Sequence, residues 1–163
     1  MINKKNRNKW LLSSDQEFLE DCEFKEYQAS GPGGQKRNRK YSGARLTHLP
    51  SGIQVVAADT RSLNRNKSIA LKKLRKKISI HVRCDENLEI SDFNISLTNP
   101  SYPVLLAIFF DALYHNNFFI ADAAKLLNLS TGKFLKIIGR DNYAWQVLNE
   151  ERKKRNLKNI RKN

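Results

Sequence analysis

Apolar positions along the chain change their period several times, and each change marks an element. Ser14-Asp15 precede QEFLEDCEF, where Phe18, Leu19 and Cys22 fall on one helical face behind a polar cap and an acidic first turn, so a helix is predicted there. EYQAS reads as a short strand. ARLTHLPSGIQVVAA places apolar and β-branched residues on both sides of Pro50-Ser51-Gly52, which predicts a hairpin. In DTRSLNRNKSIALKKLRKKISI the period lengthens: Leu71, Leu74 and Ile78 recur at i, i+3 and i+7, with Ser62 or Asn64 as the cap, giving one helix whose other positions are largely Lys and Arg. Between Asp85 and Pro103 turn formers and acids replace the periodicity, predicting a linker.

Beyond the linker the pattern is helical throughout. YPVLLAIFFDALYHNN, NFFIADAAKLLNLS, STGKFLKIIGRD and DNYAWQVLNEERKKRNL each carry helical spacing. Ala121 to Ile138 has the apolar spacing and short turn of a helix-turn-helix pair, with Lys133 and Lys136 the only cations of its second helix; small bundles produce the same pattern by packing alone. The expected fold class is α+β. A small β-sheet packed on helices occupies residues 1–84, followed by a linker over 85–101, a small all-α domain over 102–151 and a basic tail over 152–163.

ASGPGGQKRNRKYSGAR, residues 29–45, fits none of these periods. Three glycines and a proline within four residues exclude a helix interior, because proline lacks the N–H and glycine costs about 1 kcal/mol against alanine. Gln35 is therefore expected on a loop. Lys36, Arg37, Arg39 and Lys40 follow it, so the loop gathers cations that repel one another unless an anion lies between them.

Charge extends that picture to the whole chain. Thirty Lys+Arg against sixteen Asp+Glu give a formal net charge of +14, which favours a polyanionic partner. Lys36 to Cys84 holds fourteen basic residues and one acid, Asp59, and Arg152 to Asn163 holds seven basic residues and no acid, whereas 85–111 has acids and no base. Two separated positive blocks imply two contacts or one extended one. Only Cys22 and Cys84 are present, with no C-x-x-C pair, so neither a disulfide framework nor a zinc site is indicated. G-P-G-G-Q lacks the G-K-[ST] ending of a phosphate-binding loop. No cofactor and no metal are expected. The charged start is not followed by an apolar signal-type run, the acids Asp15 to Glu23 come too early for a transit peptide, and no eighteen-residue apolar stretch is present, so a cytoplasmic protein without a membrane partner is expected.

With its elements placed, SGPGGQKRNRKYSGARLTHLPSGIQVVAADTRSLNRNKSIALKKL closely resembles the catalytic domain of bacterial-type class I peptide chain release factors and the stand-alone GGQ proteins that rescue stalled ribosomes. The resemblance covers roughly Leu11 to Ile80. It is carried by Ser30 to Gln35, Asn38, Ser42, Ala44-Arg45, Thr47 to Pro50, Gly52-Ile53, Arg61-Ser62 and Asn66-Lys67, all in register. Arg37, Lys40 and Leu63 depart from the family's usual residues, which bears on loop packing and RNA fit. Neither the P-x-T nor the SPF tripeptide that reads stop codons is found.

The resemblance implies codon-independent hydrolysis of the peptidyl-tRNA ester on stalled ribosomes or large subunits, with Gly33, Gly34 and Gln35 as catalytic residues. Side-chain-free positions let the main chain approach its target closely, and the Gln35 main-chain amide is implied as the donor to the developing oxyanion. Glutamine does not titrate, so a substrate hydroxyl or water is the more plausible base. His48, His81 and His115 are alternatives, with His48 read as structural. Lys36, Arg37, Asn38, Arg39, Lys40, Arg45, Arg61, Arg65, Lys67 and Lys72, with Arg152, Lys153, Lys154 and Arg155, are the expected RNA-binding residues. The implied partners are the peptidyl transferase centre of the large subunit, peptidyl-tRNA and ribosomal RNA, met by a monomer. The competing reading is a non-catalytic RNA- or DNA-binding module that uses the helix-turn-helix-like segment.

Overall fold

The computed structural model describes residues 2–3, 6–27, 42–86, 88–90 and 92–162. They form an α+β structure that divides into two compact units, Met1–Val82 and Arg83–Asn163.

In the first unit, β1 (Ile2–Asn3) precedes α1 (Arg7–Leu12) and α2 (Asp15–Glu20). Then come β2 (Cys22–Tyr27), β3 (Gly43–His48), β4 (Ile53–Ala57) and α3 (Leu63–His81), and β5 (Val82–Arg83) straddles the boundary between the units. The sheet is antiparallel in the order β2-β3-β4, and β1 pairs with β5. Register puts Phe24, Leu46 and Val55 abreast, and the alternation buries Ala44, Leu46, His48, Val55 and Ala57 on one face. Helix α3 covers that face with Ala70, Leu71, Leu74 and Ile78, as its apolar spacing requires. The hairpin turn at Leu49 to Gly52 ends on Gly52 at φ +70°, a conformation that glycine adopts without steric penalty.

Two expectations are corrected here. Cys22 does not continue α2: the helix ends at Glu20, and Cys22 opens β2 opposite His48, because Cys22 and Phe24 alternate toward the buried face. The EYQAS strand accordingly begins earlier, with Glu26 and Tyr27 as its last described residues. Helix α1 is not foreseen from its charged sequence, yet Arg7, Trp10 and Leu11 are all buried. The α2 cap is the expected one, a reciprocal box in which Ser14 Oγ accepts from Glu17 N and Glu17 Oε2 accepts from Ser14 N at 2.8 Å.

The second unit contains α4 (Tyr102–His115), α5 (Ile120–Leu126), α6 (Thr131–Ile138) and α7 (Asn142–Lys154). Helix α4 is buried on nearly all sides, which explains its almost unbroken apolar sequence. Phe109 meets Phe134 at 4.6 Å between ring centroids, and Phe93 from the region read as a linker stands edge-on to Phe109 at 5.7 Å. The α4–α5 turn carries Phe118 in the left-handed region at φ +63°. That conformation costs about 1–2 kcal/mol, comparable to what full burial of the ring against Tyr114 and Phe110 contributes.

The basic residues that follow Glu151 begin within the last helix. Arg152, Lys153 and Lys154 form the last turn of α7. The chain reverses after Asn156 at φ +57° and returns along the helix, where Ile160 N donates to Asn149 Oδ1 at 2.7 Å and Asn149 Nδ2 donates back to Ile160 O at 3.2 Å. Among the described residues no helix is long and apolar enough to cross a membrane.

Candidate functional site

Gly33, Gly34, Gln35, Lys36, Arg37, Asn38, Arg39 and Lys40 lie outside the described residues. The root that carries them is described. Tyr27, the last residue of β2, pairs with Gly43, the first of β3, so the chain leaves and re-enters the sheet at the same end. Gly43 has no room for a side chain, since a Cβ there would lie 2.7 Å from the Tyr27 carbonyl oxygen. Arg45 then extends over the Tyr27 ring, 5.4 Å from its centroid.

Asn66 fastens this root to α3. The residue is fully buried; its Nδ2 donates to Ser42 O at 2.7 Å and Thr60 O at 2.8 Å, while its Oδ1 accepts from Thr60 N at 2.9 Å and Thr60 Oγ1 at 3.1 Å. One amide thus ties the C-terminal side of the loop to the β4–α3 connection. Its buried polar groups have no unused capacity.

The expected RNA-binding cations of this unit divide by environment. Arg61, Arg65 and Lys72 are exposed. Lys67 is half-buried, with Nζ 4.4 Å from the centroid of the Phe24 ring. Lys73 pairs with Asp59 at 2.9 Å, and hydrogen bonding from Lys73 holds the Asp59 carboxyl below its ordinary range.

Arg75 is no part of that face. It is 7% exposed, lies 4.2 Å over the Phe18 ring and donates to the carbonyls of Trp10 (2.7 Å), Leu11 (3.4 Å), Ser13 (2.9 Å) and Ser14 (2.9 Å). These include carbonyls that the end of α1 leaves without an intrahelical partner. Burial pushes the guanidinium pKa down, opposed by Asp15 at 3.2 Å. The signal was present in the sequence, because Arg75 falls beside Leu71, Leu74 and Ile78 on the apolar stripe.

His48 is fully buried, stacked 5.1 Å from Phe18 and edge-on to Trp10 at 4.5 Å. Its Nδ1 lies 2.8 Å from Ser51 Oγ and 3.3 Å from Ser51 N, which ties the ring to the hairpin turn. Burial raises the Cys22 thiol to about 11, so it is a poor nucleophile at neutral pH. No group of three His, Cys, Asp or Glu side chains among the described residues is placed to hold a metal ion.

In the second unit Arg152 and Arg155 are used internally. Arg152 Nη1 donates to Phe118 O at 2.5 Å and its Nε to Lys158 O at 3.0 Å. Arg155 lies 4.4 Å over the Phe118 ring and pairs with Glu151 at 2.6 Å. Lys154 also pairs with Glu151, whose carboxyl burial raises but whose two cationic partners hold below its ordinary value. Lys153 is exposed. The predicted tail cluster is therefore partly a packing device; Arg75 and the Phe118 turn are features that sequence reasoning did not single out, and Asn66 entered it only as part of the family register.

Comparison with known proteins adds a second line of evidence. Residues 17–95 match the RF-1 domain. Peptide chain release factor 1 of Ehrlichia ruminantium (strain Gardel) is 41% identical over 76 residues, covering 47% of this chain and 21% of the relative. The protein of the same name from Anaplasma marginale (strain Florida) is 47% identical over 58 residues, 36% of this chain and 16% of the relative. That from Acetivibrio thermocellus is 42% identical over 71 residues, 44% of this chain and 20% of the relative. The chain thus spans about a fifth of the length of these relatives.

Proposed function

We propose, from the match of residues 17–95 to the RF-1 domain and the likeness to peptide chain release factors 1, that the chain is a member of the class I release-factor family that releases nascent peptides on the ribosome by hydrolysing the peptidyl-tRNA ester without reading a codon. The observation that carries the reading is the Gly33-Gly34-Gln35 triplet between two paired strands inside the matched segment, with its C-terminal side fastened by Asn66.

In this reading water adds to the ester carbonyl carbon, the carbonyl oxygen becomes an oxyanion, and collapse breaks the bond to the terminal ribose oxygen, which takes up a proton. The products are a free peptide carboxyl group and deacylated tRNA. A main-chain N–H at Gln35 directed at the oxyanion is worth about 2.7–4 kcal/mol, or on the order of a hundred- to thousandfold in rate. Glycines at 33 and 34 permit the close approach, and the uncharged Gln35 side chain orients the water without exchanging a proton. Arg61, Arg65 and Lys72 supply exposed charge for RNA phosphates. Neither the P-x-T nor the SPF tripeptide occurs within residues 1–163.

Purified ribosomes carrying peptidyl-tRNA, with and without a stop codon, test this. Release is expected in both cases. Gly34→Ala, which obstructs the main-chain approach, is expected to reduce it about a hundredfold or more, and Gln35→Ala, which keeps the main-chain N–H and loses only the water-orienting side chain, to reduce it less, while ribosome binding persists in both. Full activity in both variants would remove the catalytic assignment, and release that requires a stop codon would remove codon independence.

A further inference from the structure

Cations in the second unit fall into two classes. Arg83 pairs with Asp111 at 2.6 Å, and Lys154 and Arg155 share Glu151. Lys133, Lys136 and Arg140 are all exposed and have no ion-pair partner among the described residues. Helix α6 turns Phe134, Ile137 and Ile138 inward and leaves Lys133 and Lys136, at i and i+3, on its exposed side; Arg140 follows in the turn after the helix, where its Nε also donates to Ile137 O at 3.4 Å. From Ala123 to Arg140 the chain has four cations, these three and the exposed Lys125, and no acid. Like charges at this spacing repel unless an anion lies over them.

Gly132 is a second, independent sign. It lies in the first turn of α6, where glycine is the least favourable residue after proline, yet a Cβ there would meet nothing within 4 Å. Neither backbone conformation nor internal packing calls for it, in contrast to Gly139, where a Cβ would lie 2.8 Å from Leu135 O. A side-chain-free position beside these cations suits close approach by something outside the chain.

We propose that the exposed face of α6 and the turn after it, with Gly132, Lys133, Lys136 and Arg140, form a second RNA-docking surface that grips the phosphates of a structured RNA. The choice of RNA over DNA rests on the release reading; the charge and glycine arguments do not. The major groove of A-form RNA is too deep and narrow for side chains to read, and this surface has no Asn or Gln to pair with a base edge. Binding is therefore led by shape and phosphates and is indifferent to sequence.

The test uses the full chain and a ribosome-free 20-base-pair RNA duplex, with the DNA duplex of the same sequence as a second arm. Lys133→Glu with Lys136→Glu is expected to weaken RNA binding at least tenfold and flatten the log–log salt dependence by about 2. Lys9→Glu with Lys25→Glu, an equal change of charge elsewhere, should cost less than threefold. Gly132→Leu, which alters no charge and has space around it, is expected to weaken binding at least fivefold while circular dichroism stays unchanged. Equal losses in the two double variants, or RNA binding indifferent to Gly132→Leu, would overturn the proposal, and tighter binding of the DNA duplex would overturn its choice of partner. Because no ribosome is present, the outcome is independent of whether peptide release is confirmed.

Discussion

Asn66 uses both of its amide hydrogens and both lone pairs of its oxygen on Ser42 and Thr60, positions 24 and 6 residues away. Truncation to alanine strands buried carbonyls and an N–H that water reaches poorly, and each such loss costs about 1–3 kcal/mol. Asn66→Ala is accordingly expected to lower unfolding free energy by about 2–4 kcal/mol in urea titrations. Asn66→Asp is expected to fare no better at pH 7, because a carboxylate cannot donate to Ser42 O or Thr60 O. Under the release reading both variants also lose peptide release faster than ribosome binding, since the loop root loses its anchor to α3. A variant that keeps wild-type stability and release would show the clamp to be dispensable.

At the scale of elements, α2 depends on one reciprocal cap. Hydrogen bonds from the backbone and side chain of Ser14 hold the Glu17 carboxyl below its ordinary value of 4.5. A depressed carboxyl pKa stabilises the fold above the unfolded value, and that contribution is lost as pH falls through the folded value. The stability gap between the parent chain and Glu17→Ala is therefore expected to be open at pH 6 to 7 and to close below about pH 4.5 in urea titrations at successive pH values. A gap that stays constant down to pH 3 would show that the charge of Glu17 contributes nothing.

The same element shows what a sequence discloses. Ser14 followed three residues later by Glu17 is a local signal, as are the 3.6-residue spacing of α3 and the Pro50-Ser51-Gly52 turn, and all three elements form where these signals lie. Arg75, Arg7 and Phe118 depend on partners distant in the chain: Arg75 on carbonyls some sixty residues away, Arg7 on Val82 O, and Phe118 on Arg152. No local propensity encodes such pairings. The place of Arg75 beside Leu71, Leu74 and Ile78 signals its burial, but not which carbonyls it meets. The Gly33-Gly34-Gln35 reading rests on a different kind of signal, a contiguous triplet in a spaced register, and those three residues lie outside the described ones.

For the whole molecule, a net charge of +14 raises the question of which positive block would meet RNA under the release reading and which holds the fold. Cutting the chain after Glu151 would confuse the two, because it removes Arg152 from the Phe118 carbonyl and Arg155 from the Phe118 ring along with the outward charge. Lys153, Lys158 and Arg161 are exposed, and none of their side chains forms an ion pair or hydrogen bond among the described residues; what the fold uses is backbone, with Asn156 N donating to Lys153 O and Arg152 Nε to Lys158 O. Replacing these three with serine should leave thermal stability nearly unchanged, whereas truncation after Glu151 should lower it measurably. If the returning segment contacts RNA phosphates, the triple variant flattens the log–log salt dependence of ribosome binding by about 2 to 3, at 0.7–0.9 per phosphate. An unchanged slope in the triple variant, alongside a destabilised truncation, would assign residues 152–162 to packing of the helical unit and leave RNA contact to the cations of the first unit and of α6.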